Sequence, residues 1–115
     1  GEDVVDHLDH LVQWLANLDI LYWGDIDAHG FQILSDFRGI FSHTRSVLMD
    51  RDTLDANIHF AVRDNQNRAE RFTNLHERER ELLDYIWEHQ LRLEQEHIPH
   101  HYSVEKIKRV LLGNS

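Results

Sequence analysis

The stretch Ile20-Leu-Tyr-Trp-Gly-Asp-Ile-Asp-Ala-His-Gly-Phe31 constrains this chain more than any other. An apolar run, Ile20 to Trp23, stops at Gly24, and two aspartates follow one residue apart, Asp25 and Asp27. Gly30 then opens a run with Phe31, Ile33, Leu34, Phe37 and Ile40 at helical spacing. The pattern predicts a buried strand, an acidic turn and a helix. In open α/β sheets, ligands bind in the crevice beyond the carboxyl ends of the strands. Two carboxylates placed there repel each other unless protons or a cation offset them, and hard divalent cations prefer such oxygen ligands.

The rest of the chain predicts how that unit is framed. Val4, Val5, Leu8, Leu11, Val12 and Leu15 have helical spacing over residues 1–17, with Asp3 as cap. Thr44 to Met49 reads as a second strand, so the strand–helix–strand order calls for a parallel crossover. Leu54, Ile58 and Val62 form the apolar edge of a short helix, and Arg63 to Arg71 is polar enough to be a mobile loop. A long charged helix is expected from a Thr73 or Asn74 cap to Gln95, with Leu75, Leu82, Leu83, Ile86 and Trp87 buried. Pro99 interrupts, and Ser103 caps a last helix with Val104, Ile107, Val110 and Leu111 inward and Lys106, Lys108 and Arg109 outward. This is α/β: a short parallel sheet with flanking helices and a helical C-terminal part. Within one domain, residues 1–62 form the strand–helix core and residues 72–115 the helical extension.

Composition narrows the function. At 115 residues the chain is one domain, and 41% apolar with 29% charged residues suits a globular protein. With no cysteine there is neither a disulfide framework nor a thiolate metal site. No apolar run approaches the ~20 residues of a membrane span, so a cytosolic protein without membrane contact is expected. A net charge of −9 argues against non-specific nucleic-acid binding by this surface alone. A bound cation reverses the local sign and still permits phosphodiester chemistry.

Each candidate residue also has a plain structural role open to it. Asp25 can bond turn backbone and Asp27 can cap the following helix. His29 can ligate, relay protons or contact phosphate, or merely start the helix. Arg45 can reach the crevice or solvate an edge, and Asp50 can supply a further carboxylate or cap a helix. Glu94 and Glu96, followed by His97, His100 and His101, can extend the acidic site or form a metal patch. A charged helix end with a solvated loop is the favoured account of them. Arg92 and Glu88 read as a solvated face with local ion pairs.

The motif Trp23-Gly-Asp-Ile-Asp-Ala-His-Gly30 resembles the second acidic motif of Toprim domains. Taken with Ser46-Val-Leu-Met-Asp50, Arg92-Leu-Glu-Gln-Glu96 and Ile98-Pro99, the chain is similar over nearly its whole length to the C-terminal domain of the JetD family. That family supplies the nuclease subunit of bacterial Wadjet anti-plasmid systems. The resemblance implies a partial Toprim, Rossmann-like fold related to the A subunit of topoisomerase VI. It implies a DNA endonuclease dependent on Mg²⁺ or Mn²⁺, with Asp25 and Asp27 as catalytic metal ligands and Gly30 keeping the turn close to the helix. Its implied partners are double-stranded plasmid DNA, an SMC-type motor complex and a second copy in a homodimer, in a nucleoid-associated cytoplasmic setting. Toprim domains also use a glutamate on an earlier strand, and Glu2 opens a helix here. The N-terminal strands are therefore expected to be missing and the piece inactive by itself. Two other classes compete: an acidic interaction or dimerisation module, and a haloacid-dehalogenase phosphatase. The phosphatase usually has Thr or Val where this chain has His29, and it needs a downstream lysine, for which only Lys106 and Lys108 exist.

Overall fold

A computed structural model describes residues 17–65 and 72–113, together with His10, Gln13 and Trp14. Most of the helix expected over residues 1–17 and most of the loop expected over 63–71 lie outside the described residues. Strand β1 (Leu21–Tyr22) leads through helix α1 (Ala28–Ile40) to β2 (Arg45–Ser46). Next come α2 (Arg51–Ala56), a 3₁₀ turn at Ile58–Phe60, and β3 (Val62–Arg63). Helix α3 (Glu77–His89), β4 (Leu91–Arg92), a second 3₁₀ turn at Gln95–His97 and α4 (His100–Leu111) complete the order. The strands β1 and β2 are parallel, with Leu21 beside Arg45 and Tyr22 beside Ser46. The expected strand–helix–strand unit is present, and the fold is α/β and partly Rossmann-like.

Helix α1 begins at Ala28, two residues before the run that predicted it. Asp27 supplies the reason, because its Oδ1 accepts the Gly30 N–H at 2.6 Å and satisfies a donor the helix leaves orphaned. Phe31, Leu34, Ser35 and Arg38 then recur at three- and four-residue spacing and form the buried stripe. The core gathers Ile26, Phe31, Leu34, Met49, Leu54, Leu75, Leu82, Leu83, Ile86, Leu93 and Ile98. Each such large apolar side chain contributes roughly 1.5–3 kcal/mol when fully buried.

Four local expectations are corrected. Leu54, Ile58 and Val62 do not share one helix: α2 stops at Ala56, and Val62 is an exposed residue of β3. Asn74 does not cap α3 but ties to α1, its N–H bonding Ser35 Oγ at 3.1 Å and its amide bonding Ser35 O at 3.0 Å. The cap of α3 is His76, whose N–H donates to Glu79 Oε1 at 2.7 Å.

The third correction concerns the long helix, which ends at His89. Gln90 takes a left-handed conformation (φ 53°), and the chain turns into β4. Leu91 and Leu93 follow the period of a strand rather than a helix. β4 pairs antiparallel with β3, Val62 opposite Arg92 and Arg63 opposite Leu91. The fourth concerns α4, which starts after Pro99. Ser103 lies inside it, its hydroxyl donating back to His100 O at 2.9 Å. Leu111 is exposed, and Lys106 is half-buried against Asp50 rather than outward.

One buried ion pair braces the layers. Arg38 of α1 donates to Glu79 of α3 through Nη1 at 2.6 Å and Nη2 at 3.0 Å. Ser46 of β2 also donates its hydroxyl to Glu79 Oε2. The carboxylate therefore joins α1, α3 and the end of β2. Those partners hold its pKa below the usual glutamate value even though burial pushes the other way.

Candidate metal centre

The parallel strands deliver residues 24–27 and 47–50 to the same end of the sheet. Val47 N–H bonds Tyr22 O at 2.9 Å, and Gly24 N–H donates to Met49 Sδ at 3.4 Å. Two glycines let the chain fold tightly there. A Cβ on Gly24 would run into the Tyr22 hydroxyl. A Cβ on Gly30 would collide with the Asp25 carbonyl oxygen and come within 3.2 Å of Asp27 Oδ1. The close approach demanded of Gly30 by the motif is thus a steric fact, independent of any positive φ.

Asp25 and Asp27 flank Ile26, which is fully buried and exchanges both backbone hydrogen bonds with Leu93: N–H to O at 2.8 Å and O to N–H at 3.1 Å. Leu93 is equally buried. Side chains alternate faces along extended chain, so the neighbours of this pair lie on the opposite, solvent-side face. Those neighbours are Asp25 and Asp27 on one strand and Arg92 and Glu94 on the other, all half-buried. β4 is thereby continued between β3 on one edge and the acidic turn on the other.

Backbone bonds orient both aspartates. Asp25 Oδ1 accepts Gln95 N–H at 2.7 Å, and Asp27 Oδ1 accepts Gly30 N–H. Asp27 is held above the usual aspartate pKa, first by burial, with the Asp25 charge adding to it. The Gly30 N–H and the charges of His29 and Arg92 pull the other way. Tyr22 donates its hydroxyl to Gly30 O at 3.3 Å. Burial and the charges of Asp25 and Asp27 raise its pKa.

The other candidates divide by position. Glu94 joins the aspartates' face, where Arg92 Nη2 reaches its Oε1 at 2.7 Å and His97 Nε2 its Oε2 at 3.3 Å. Glu96 stands beside His97 at 4.0 Å. Glu94, Glu96 and His97 bring one ligand atom each within 4.8 Å of one another, a metal-sized grouping that abuts the Asp25 hydrogen bond. His29 is exposed in the first turn of α1. Arg45 is exposed and pairs in register with Leu21, before the strand ends. Asp50 caps α2, its Oδ1 accepting Thr53 N–H at 2.8 Å and facing Lys106 Nζ at 3.4 Å. Tyr22 and Arg92 also stand beside the aspartates, Arg92 having been read from the sequence as part of a solvated face. For Arg92 the signal was the alternation Leu91-Arg-Leu93-Glu, which is a strand pattern inside an otherwise helical stretch.

Fold and site define an α/β domain of the kind that carries paired carboxylates at the end of a parallel strand. Residues 1–107 match the family model described as Wadjet protein JetD, C-terminal, and the chain belongs to that family. Membership sets it in the context of the Wadjet defence system. No curated protein matches it. Among the described residues, no helix is long and apolar enough to cross a membrane.

Proposed function

We propose that this chain carries the metal-holding turn of a DNA endonuclease, with Asp25 and Asp27 as ligands of Mg²⁺ or Mn²⁺ and plasmid DNA as substrate. The observation that carries the reading is the placement of both aspartates on one face just past a parallel strand, with Glu94 beside them. The donor set fits a hard cation: it is all oxygen, and burial first and the Asp25 charge next raise the pKa of Asp27, a cost that a bound cation would offset.

When bound, the cation supplies Lewis-acid stabilisation to the phosphate and leaving oxygen. The protein's own share is orientation. Gln95 N–H fixes the Asp25 carboxylate, Gly30 N–H fixes that of Asp27, and Gly30 itself keeps the helix start against the turn. The Tyr22 hydroxyl donates to Gly30 O and has its pKa raised by burial and by the aspartate charges, so nothing around it among the described residues activates it as a nucleophile. An SMC-type motor complex as the presenting partner and a homodimer as the cutting unit complete the proposal, on the strength of family kinship.

The same hydrogen bonds favour a second reading, an interaction module in which both aspartates only brace backbone. Asparagine separates the two, because it still accepts the Gln95 and Gly30 N–H groups and caps a helix as well as aspartate. Isothermal titration of Mg²⁺ and Mn²⁺ should give binding to the wild type and none to Asp25→Asn/Asp27→Asn. Binding that survives the double change removes the site. In the full-length protein Asp27→Asn should abolish plasmid cleavage, and retained cutting would sink the nuclease reading.

A further inference from the structure

The acidic face has a cation of its own. Arg92 lies next to Asp27 across the Ile26–Leu93 bridge, with Nη2 2.7 Å from Glu94 Oε1 and Nη1 3.7 Å from Asp64 Oδ2. Its guanidinium is therefore set among Asp27, Glu94 and Asp64. Its donors are underused. Nη1 is beyond hydrogen-bond distance of Asp64, and Nε is buried with no hydrogen-bond partner. Arginine offers five N–H donors in a rigid fork that matches phosphate oxygens, and buried donors are normally satisfied. The side chain is 38% exposed, so its tip is accessible from the same solvent side as the aspartates.

We propose that Arg92 is the phosphate-contacting residue of this site: it neutralises the carboxylates while the cation is absent and turns its fork to the substrate phosphodiester once the cation has taken over that charge. The inference rests on the reading of Asp25 and Asp27 as metal ligands. Its logic is electrostatic. A phosphodiester meets carboxylates on this face, and a cation held by Asp25 and Asp27 releases the Arg92 guanidinium for an anion. Arg92 and the cation then compete in the empty site and cooperate in the loaded one.

This competition makes Arg92 separable from a residue that only holds the strand in place. The test uses the whole chain, with Mg²⁺ titrated calorimetrically. Fluorescence anisotropy then follows a short labelled DNA duplex in Ca²⁺ over a range of salt. Arg92→Gln should bind Mg²⁺ several-fold more tightly than wild type, because a competing positive charge is gone. It should bind the duplex about tenfold more weakly, with the salt slope reduced by about 1. Arg92→Lys keeps the charge but not the fork, and should restore wild-type Mg²⁺ affinity while recovering only part of the duplex affinity. If Arg92→Gln weakens Mg²⁺ binding, or leaves duplex affinity and salt slope unchanged, the assignment is overturned. Should Arg92→Gln not fold, wild-type duplex affinity in Arg92→Lys overturns it alone. Duplex binding absent from the metal-loaded wild type also overturns it. Failure of the wild type to bind Mg²⁺ is a different outcome, which removes the aspartate site and Arg92's role with it.

Discussion

Gly30→Ala sets two arguments of opposite sign against each other. Position 30 lies inside α1, where alanine is favoured over glycine by about 1 kcal/mol on helix propensity alone. The structure predicts the reverse. The new Cβ would overlap the Asp25 carbonyl oxygen, a backbone atom that moves only if the whole turn moves, and would crowd Asp27 Oδ1 at 3.2 Å. Relieving such an overlap costs about 1–3 kcal/mol, and displacing the Asp27 cap costs about 1 kcal/mol more. Set against the propensity gain, a net loss of about 1–3 kcal/mol remains. For a chain of 115 residues that lowers Tm by about 4–12 °C. Calorimetric melting with parallel urea titration measures it, and Mg²⁺ titration of the same variant should show affinity reduced at least about tenfold as the carboxylates separate. A Gly30→Ala protein as stable as wild type, or more so, would refute the close-approach argument.

Other positions give independent checks. Glu79→Ala leaves Arg38 buried without its carboxylate and should cost about 3–5 kcal/mol in urea unfolding, whereas a loss below about 1 kcal/mol would mean the brace carries little. Because the folded pKa of Glu79 is depressed, its stabilisation is present above the ordinary glutamate range and is lost as pH falls through the folded value. Acid titration of wild type should show that loss, and Glu79→Ala should lack it. Gln90→Gly should stabilise by about 0.5–1 kcal/mol, since φ 53° suits glycine, and unchanged stability would argue against a left-handed helix end. Asp27 behaves oppositely to Glu79. Its folded pKa is raised, so the fold without metal loses stability as pH rises from the ordinary aspartate value through the folded one. Asp27→Asn should remove that decline, and an unaltered pH profile would count against it.

The unit around Asp25 was legible because every signal in it is local. An apolar run, a glycine break, a cap and a helical stripe lie within about one strand–turn–helix of chain, and propensity and periodicity act on that scale. Glu94 was a candidate by type, but the strand that sets it beside the aspartates was not legible in the same way. Leu91 to Gln95 continues a charged helical pattern, and only two apolar residues betray the strand. What overrides helix propensity there is tertiary. Leu93 is buried against Ile26, and the backbone groups of β4 are satisfied by β3. Asp50 illustrates the converse, since its sequence position suited either a site or a cap, and its bond to Thr53 N–H shows that it does cap α2. Glu79 reads as one more surface charge in Glu77 to Glu81, and its buried partner Arg38 is 41 residues away.

The central claim, that Asp25 and Asp27 are kept to hold a divalent cation, is tested most directly by metal-dependent thermal stability. A ligand that binds only the folded state stabilises it by about 2.7 kcal/mol at a hundredfold excess over Kd. Mg²⁺ should therefore raise the Tm of the wild type with increasing concentration. Asp25→Asn/Asp27→Asn should melt at or above the metal-free wild type at neutral pH and show no response to Mg²⁺. An equal Mg²⁺ response in the double variant, or none in the wild type, contradicts the account.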